Sequence, residues 1–202
     1  MFNAERVCHL RKVLSIVLVL NTNQGICLMY KVAILGPEST GKSELSRALA
    51  DYFQTEWVPE YAREYVERLD EPYTFEDVCI IAQKQIEQQQ AFENKHTNKF
   101  VFFDTDLIIT KVWFEYCYHQ VPDFVQKKIE ENYFDFFLLC APDLEWQPDP
   151  VREHGNDRDH FYNWYKREIE QTGKPFFVVT GQGQQRTLNA IEAVNNAFKN
   201  LI

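Results

Sequence analysis

Short apolar runs alternate along the chain with longer segments whose apolar residues recur every three or four positions. Lys31–Leu35, Thr55–Val58, Phe100–Phe103, Phe134–Cys140 and Pro175–Thr180 are runs of strand length. Turn or polar residues bound them, with Pro59 closing the second, and this is the signature of buried strands. Between them lie helical patterns. Leu45, Ala48, Leu49 and Tyr52 mark a helix from about Gly41 to Phe53, and a second opens at Glu60 and runs to about Leu69. A third extends from Phe75 to about Glu93, with Thr74 at its N-cap and Glu76 and Asp77 in the first turn, where carboxylates suit the helix dipole. Its Gln-rich stretch, Gln83–Gln90, reads as a solvated face. Helix also follows Asp106 through Trp113, Phe114 and Tyr118, then spans Asp157–Gln171. After a loop at Gly181–Gln185, a last helix runs from about Arg186 to Phe198. Alternation of this kind predicts an α/β domain with a five-stranded parallel sheet and helices on both faces.

One junction carries a fixed pattern. Gly36-Pro37-Glu38-Ser39-Thr40-Gly41-Lys42-Ser43 satisfies G-x-x-x-x-G-K-[ST] at every fixed position, directly after a strand and directly before a helix, with Glu44 next. The chemistry follows from the residue types. Gly36 and Gly41 allow a tight turn whose N–H groups converge on a polyphosphate, and the following helix aims its positive end at the same anion. Lys42 can reach the β- and γ-phosphates of ATP, and the Ser43 hydroxyl can ligate Mg²⁺.

Other chemistry-bearing residues also follow strand ends, where open parallel sheets bind ligands. The run Phe100–Phe103 ends in Asp104-Thr105-Asp106, an arrangement that sets a carboxylate beside a metal-bound phosphate. Glu60 follows the second strand. After the fourth comes a polar, Pro-interrupted stretch that contains Arg152, His154 and Arg158, placed as a lid at about 143–160. Gly181-Gln182-Gly183 follows the fifth strand; it stands where adenine would pack, or is only a turn, and it lacks the third glycine of a dinucleotide fingerprint. No Asn-Lys-x-Asp guanine motif is present, because Asn94-Lys95-His96-Thr97 fails at its last position.

Length and charge narrow this picture only slightly. The 202 residues suit one domain, and the net charge of −9 offers no clustered basic surface for nucleic acid. The five cysteines are odd in number and scattered without a C-x-x-C pair, which predicts reduced thiols in the cytoplasm and no zinc site. Near the start, Arg6, Arg11 and Lys12 precede an apolar run, Val13–Leu20, too short for the roughly 20 residues of a bilayer span. No small-x-small cleavage site follows it. The expectation is therefore no membrane association, with residues 1–28 an upstream extension, translation beginning at Met29, and residues 29–202 forming the domain.

These segments together resemble the ribosylnicotinamide kinase domain of the NadR family and related stand-alone kinases of the phosphate-loop class. The resemblance rests on Ile34–Ser43, on Glu60-Tyr61-Ala62-Arg63-Glu64, on Phe103-Asp104-Thr105-Asp106 and on the Arg152/Arg158 stretch, and spans residues 31 to about 186. It implies a nucleoside- or nucleotide-kinase-like fold and ATP- and Mg²⁺-dependent phosphorylation of nicotinamide riboside to the mononucleotide. Bifunctional members also carry a helix-turn-helix and an adenylyltransferase domain with a His-x-Gly-His motif. That motif is missing here, so the resemblance implies the phosphorylation alone.

Roles follow with some alternatives open. Lys42 and the loop serve the donor. Asp104 and Ser43 are assigned to the metal and Glu60 to the acceptor hydroxyl, with Asp104 competing for that second role. Arg63 either binds substrate or pairs with Glu60 or Glu64, and Asp106 either meets ribose hydroxyls or caps the next helix. Trp57, Tyr61 and Trp113 are candidates to face a cationic pyridinium, or are core. Arg152 and Arg158 close over the phosphates, or belong to a surface loop; His154 is read as a polar loop residue. Two rival functions remain: another small-molecule or deoxynucleoside kinase, and an ATP-binding regulatory module without fast chemistry. The oligomeric state is left open.

Overall fold

A computed structural model describes residues 29–93, 99–149 and 155–199. The extension assigned to residues 1–28, Arg152 and His154 lie outside the described residues. Five parallel strands form one sheet in the order β2-β3-β1-β4-β5. They are β1 (Tyr30–Leu35), β2 (Glu56–Val58), β3 (Phe100–Asp104), β4 (Phe136–Cys140) and β5 (Phe176–Val179). The described helices are α1 (Lys42–Phe53), α2 (Tyr61–Val66), α3 (Phe75–Glu93), α4 (Leu107–Tyr118), α5 (Asp123–Glu130), α6 (Arg158–Thr172) and α7 (Gly183–Phe198).

The central strands are apolar on both faces because helices cover both. Val32 and Ile34 of β1 pack with Leu45 and Leu49 of α1 and with Val194 and Phe198 of α7. The alternate residues, Ala33 and Leu35, pack with Ile108 and Val112 of α4 and with Phe161 and Ile169 of α6. A side chain period of two along β1 thus feeds two separate cores. A third cluster joins α3, α4 and α5 through Val78, Phe114 and Val125.

Register sets the site. Ile34 of β1 pairs with Asp104 of β3, and Val58 of β2 pairs with Phe103. Leu35 pairs with Leu139 of β4. The residues leaving the carboxyl ends of β1, β2, β3 and β4 are therefore neighbours, and the order reverses across β1, where such sheets open a crevice.

Some elements differ from the sequence expectation. Helix α5 was not anticipated; Pro122 presets its entry, Asp123 lies in the first turn and Lys127 and Lys128 in the last, each favourable to the dipole. Helix α7 begins at Gly183 rather than Arg186, so most of the expected loop belongs to its first turn. Strand β4 starts at Phe136 because the preceding Asp135 turns its carboxylate onto the Lys31 N–H at 2.9 Å.

Candidate active site

The loop between β1 and α1 holds its shape through its own atoms. The Thr40 hydroxyl and the Lys42 ammonium donate to the Pro37 carbonyl at 2.7 and 3.0 Å. Gly41 precedes α1 in the left-handed region, with φ +74, and no side chain caps the helix. The orphan N–H groups of the first turn are thereby left to a bound anion. At Gly36, with φ +152, a Cβ would lie 2.8 Å from the Cys140 carbonyl oxygen and 2.9 Å from the Cys140 Cβ. Backbone cannot yield there as a flexible side chain would. Gly36→Ala is expected to cost about 1–3 kcal/mol and to abolish nucleotide binding. Denaturant titration with and without an ATP analogue checks this, and an alanine variant that binds the analogue normally would contradict it.

Above this loop opens a cavity of about 800 Å³, the size of a ligand site. Gly36 through Glu44 line it without a break, together with Arg47, Trp57, Glu60, Arg63, Tyr73, Asp104, Trp113 and Asp149. The two carboxylates at its floor sit in different surroundings. Asp104 is buried, and its Oδ1 has no hydrogen-bond partner in the protein. Desolvation raises its pKa, opposed by the Lys42 charge, a hydrogen bond from Ser43 and the Arg47 charge. Glu60 keeps some surface open to the cavity, yet desolvation is the largest influence on it and also raises its pKa; Lys42 opposes this, and nearby Asp104 adds to it. Lys42 thus acts on both carboxylates.

Between Asp104 and Asp106, Thr105 adopts φ +85, a conformation rarely seen for a β-branched residue. Its N–H donates to the Ile34 carbonyl at 3.0 Å. Asp104 lines the large cavity and shares one small recess beside α3 with Asp106, which also lines a second recess and does not line the large cavity. Asp106 accepts from the Ile108 N–H and caps α4, so the structure assigns it the helix cap and not a place on the cavity wall. Burial raises its pKa to about 7, against the lowering effect of that N–H. A carboxyl raised in the folded state lends its stability at low pH and loses it as pH climbs from the unfolded pKa to the folded one. Stability is therefore expected to fall between about pH 4 and pH 7, by up to about 1.4 kcal/mol per pH unit from this group. Asp106→Asn should remove that share of the slope and raise the melting temperature at pH 8. Equal slopes in both proteins would refute the assignment; Asp104 and Glu60 push the same way, so the difference is the readout.

Other expected residues are placed as follows. Trp57 and Trp113 line the cavity. Trp113 donates to the Tyr73 hydroxyl at 2.9 Å, and the two rings meet edge to face with centroids 4.7 Å apart. Tyr61 is not on this wall; its ring lies 5.9 Å from that of Tyr65 along α2, because the helix carries it round to the opposite side from Arg63. Arg63 pairs with neither Glu60 nor Glu64: Nε meets Glu67 at 3.0 Å and Nη2 meets Asp149 at 2.5 Å. Arg158, expected over the phosphates, opens α6 and donates to the Leu144 carbonyl at 2.8 Å, with its guanidinium 5.9 Å from the Trp146 ring centroid. It therefore braces residues 144–146 and does not line the cavity. That strap also reaches the loop, since the Gln147 N–H donates to the Ser39 hydroxyl at 2.9 Å.

Sequence reasoning passed over Arg47, Tyr73 and Asp149. Arg47 lies one helical turn beyond Ser43 and 5.3 Å from the Trp57 ring centroid, a position that the motif spacing alone could have flagged. Among the described residues no group of three or more His, Cys, Asp or Glu could hold a metal, and no helix is long and apolar enough to cross a membrane. Cys79 and Cys140 are free thiols.

Comparison with known proteins gives the same outline. The family described as AAA domain matches residues 31–186. The trifunctional NAD biosynthesis/regulator protein NadR of Escherichia coli K12 is 32% identical over 172 residues, which cover 81% of this chain and 41% of that protein. The chain thus spans about two-fifths of the length of that relative. A solved NadR structure in complex with NR superposes with a TM-score of 0.66 at 26% identity, covering 84% of this chain and 51% of the other. A deoxyadenosine kinase from M. mycoides shares the fold, with a TM-score of 0.53 at 17% identity over 82% of this chain and 99% of that one.

Proposed function

Because the chain belongs to the AAA domain family matched over residues 31–186, we propose that it is a kinase that transfers the γ-phosphoryl group of ATP to the 5′-hydroxyl of nicotinamide riboside. One observation carries the reading: Lys42, Glu60 and Asp104 line a single cavity together with the aromatic side chains Trp57, Tyr73 and Trp113 and a further carboxylate, Asp149. The similarity to NadR, including the structure with NR, supports the same choice.

The loop amides and Lys42 hold the donor phosphates, and Lys42 meets the charge that grows on the transferred group. Ser43 and Asp104 fit a Mg²⁺ ion: a hydroxyl and a carboxylate with an unpartnered buried oxygen are hard oxygen donors, and phosphates and water supply the rest. Held by Ser43 and Asp104, such an ion would supply positive charge against the donor phosphates. Glu60 accepts a hydrogen bond from the 5′-hydroxyl and aligns it for attack; with a loose transition state the proton need not move early. Trp57, Tyr73 and Trp113 offer ring faces to the pyridinium, whose positive charge the carboxylates of Glu60 and Asp149 favour. The reaction belongs in the cytoplasm, where ATP is supplied.

The test is a panel of nucleosides assayed for ADP release. Nicotinamide riboside is expected to turn over fastest. Rapid phosphorylation of thymidine or deoxyadenosine with none of nicotinamide riboside would overturn the choice of acceptor.

A further inference from the structure

Arg186 lies far from the phosphate loop in sequence and almost touches it in space. The residue is 4% exposed. Nη2 donates to the Thr40 carbonyl at 3.1 Å and the Ala141 carbonyl at 2.9 Å; Nη1 donates to the Gly181 carbonyl at 2.9 Å and to Asp143 Oδ1 at 2.6 Å. All four N–H bonds of the two terminal nitrogens are thus committed. Asp143 in turn accepts from the Gly181 N–H at 2.7 Å. One side chain therefore ties together the phosphate loop and the ends of β4 and β5.

The bond to Thr40 has a directional consequence. A planar trans peptide points its C=O and N–H to opposite sides. Drawing the Thr40 carbonyl down onto Arg186, beneath the loop, turns the N–H of the same peptide, that of Gly41, up towards the cavity. Gly41 sits in the left-handed region, where glycine moves freely between conformations, so the peptide needs an external restraint to hold one orientation. The Thr40 hydroxyl bond to Pro37 restrains the loop from within; Arg186 restrains it from below.

We infer that Arg186, held by Asp143, is a positioning residue for the donor nucleotide: it orients the Thr40–Gly41 peptide for the phosphates and ties that peptide to the Gly181 turn. The inference rests on the kinase reading, but concerns only the donor half of the site. The planar fork is what the role requires. A lysine at this position is a point charge and cannot serve four acceptors at once.

The experiment is calorimetric titration of the full chain with a non-hydrolysable ATP analogue, without acceptor, for the parent protein, Arg186→Lys and Asp143→Asn. KM for ATP, KM for the acceptor and kcat accompany it. Arg186→Lys is expected to weaken the analogue about tenfold and to raise KM for ATP by a similar factor, with the acceptor KM unmoved. Asp143→Asn, which removes the ion pair and keeps the shape, should act in the same direction by about threefold. Unchanged analogue affinity in either folded variant overturns the inference, and so does a parallel loss of acceptor binding, the mark of a merely structural role. If Arg186→Lys does not fold, Asp143→Asn decides alone. Failure of the parent protein to bind the analogue would overturn the kinase reading itself, and the inference with it.

Discussion

Lys42→Ala is expected to lower the rate of phosphoryl transfer by about 10²- to 10³-fold. It should shift the melting temperature by no more than about 4 °C. Lys42 makes one hydrogen bond within the loop, to the Pro37 carbonyl at 3.0 Å, and a single bond of this kind is worth about 1 kcal/mol to the fold. Its larger contribution is to charge. It is the largest of the positive charges opposing the desolvation of both Asp104 and Glu60, so removing it takes away the main cation acting on both carboxylates. The loss should therefore appear in kcat as well as in KM for ATP. Lys42→Ala with full turnover would mean that the cavity does not stabilise a transferring phosphoryl group, and would favour a nucleotide-sensing module.

The two floor carboxylates should fail in different ways. Glu60→Gln is expected to reduce kcat by about 10²- to 10⁴-fold with donor affinity intact, because the amide cannot accept the hydroxyl proton. Asp104→Asn should instead raise the Mg²⁺ concentration needed for half-maximal rate, since the residue that pairs with Ser43 has lost its charge. The pH profile separates them further. Burial and the neighbouring Asp104 raise the pKa of Glu60 above the ordinary glutamate value, and its ionised form is the one that aligns the hydroxyl. Activity should therefore decline on acidification, beginning at a pH higher than an exposed glutamate would give, and Glu60→Gln should flatten that limb. A Mg²⁺ requirement that follows Glu60, with a pH limb that follows Asp104, would exchange the two roles.

What could be read in advance follows from the range of the interactions. The phosphate loop is local: eight consecutive residues fix its turn, its charge and the helix that follows, so the sequence displays all of it. Asp104 and Glu60 were legible because each stands at or just past the end of a strand, and parallel strands deliver their carboxyl ends to one edge. Arg186 was not legible. It reads as the first residue of an amphipathic helix, and its partners at Thr40 and Ala141 meet only when β1, β4 and β5 stand side by side. Asp149 was hidden for the same reason, since its partner Arg63 lies on α2. Asp106 shows the limit of residue type alone. An aspartate after a strand fits a ligand or a cap equally well, and only the folded chain decides: the Asp106 carboxylate takes the Ile108 N–H and stays off the large cavity, which Asp104 lines.

The account stands or falls on the fate of the phosphoryl group. The chain, ATP, Mg²⁺ and nicotinamide riboside should be incubated together and the products resolved by chromatography and mass. Nicotinamide mononucleotide and ADP are expected in equal amounts, with both formed about 10²- to 10³-fold more slowly by the Lys42→Ala variant. ADP accompanied by free phosphate, with nicotinamide riboside recovered unchanged, would contradict it.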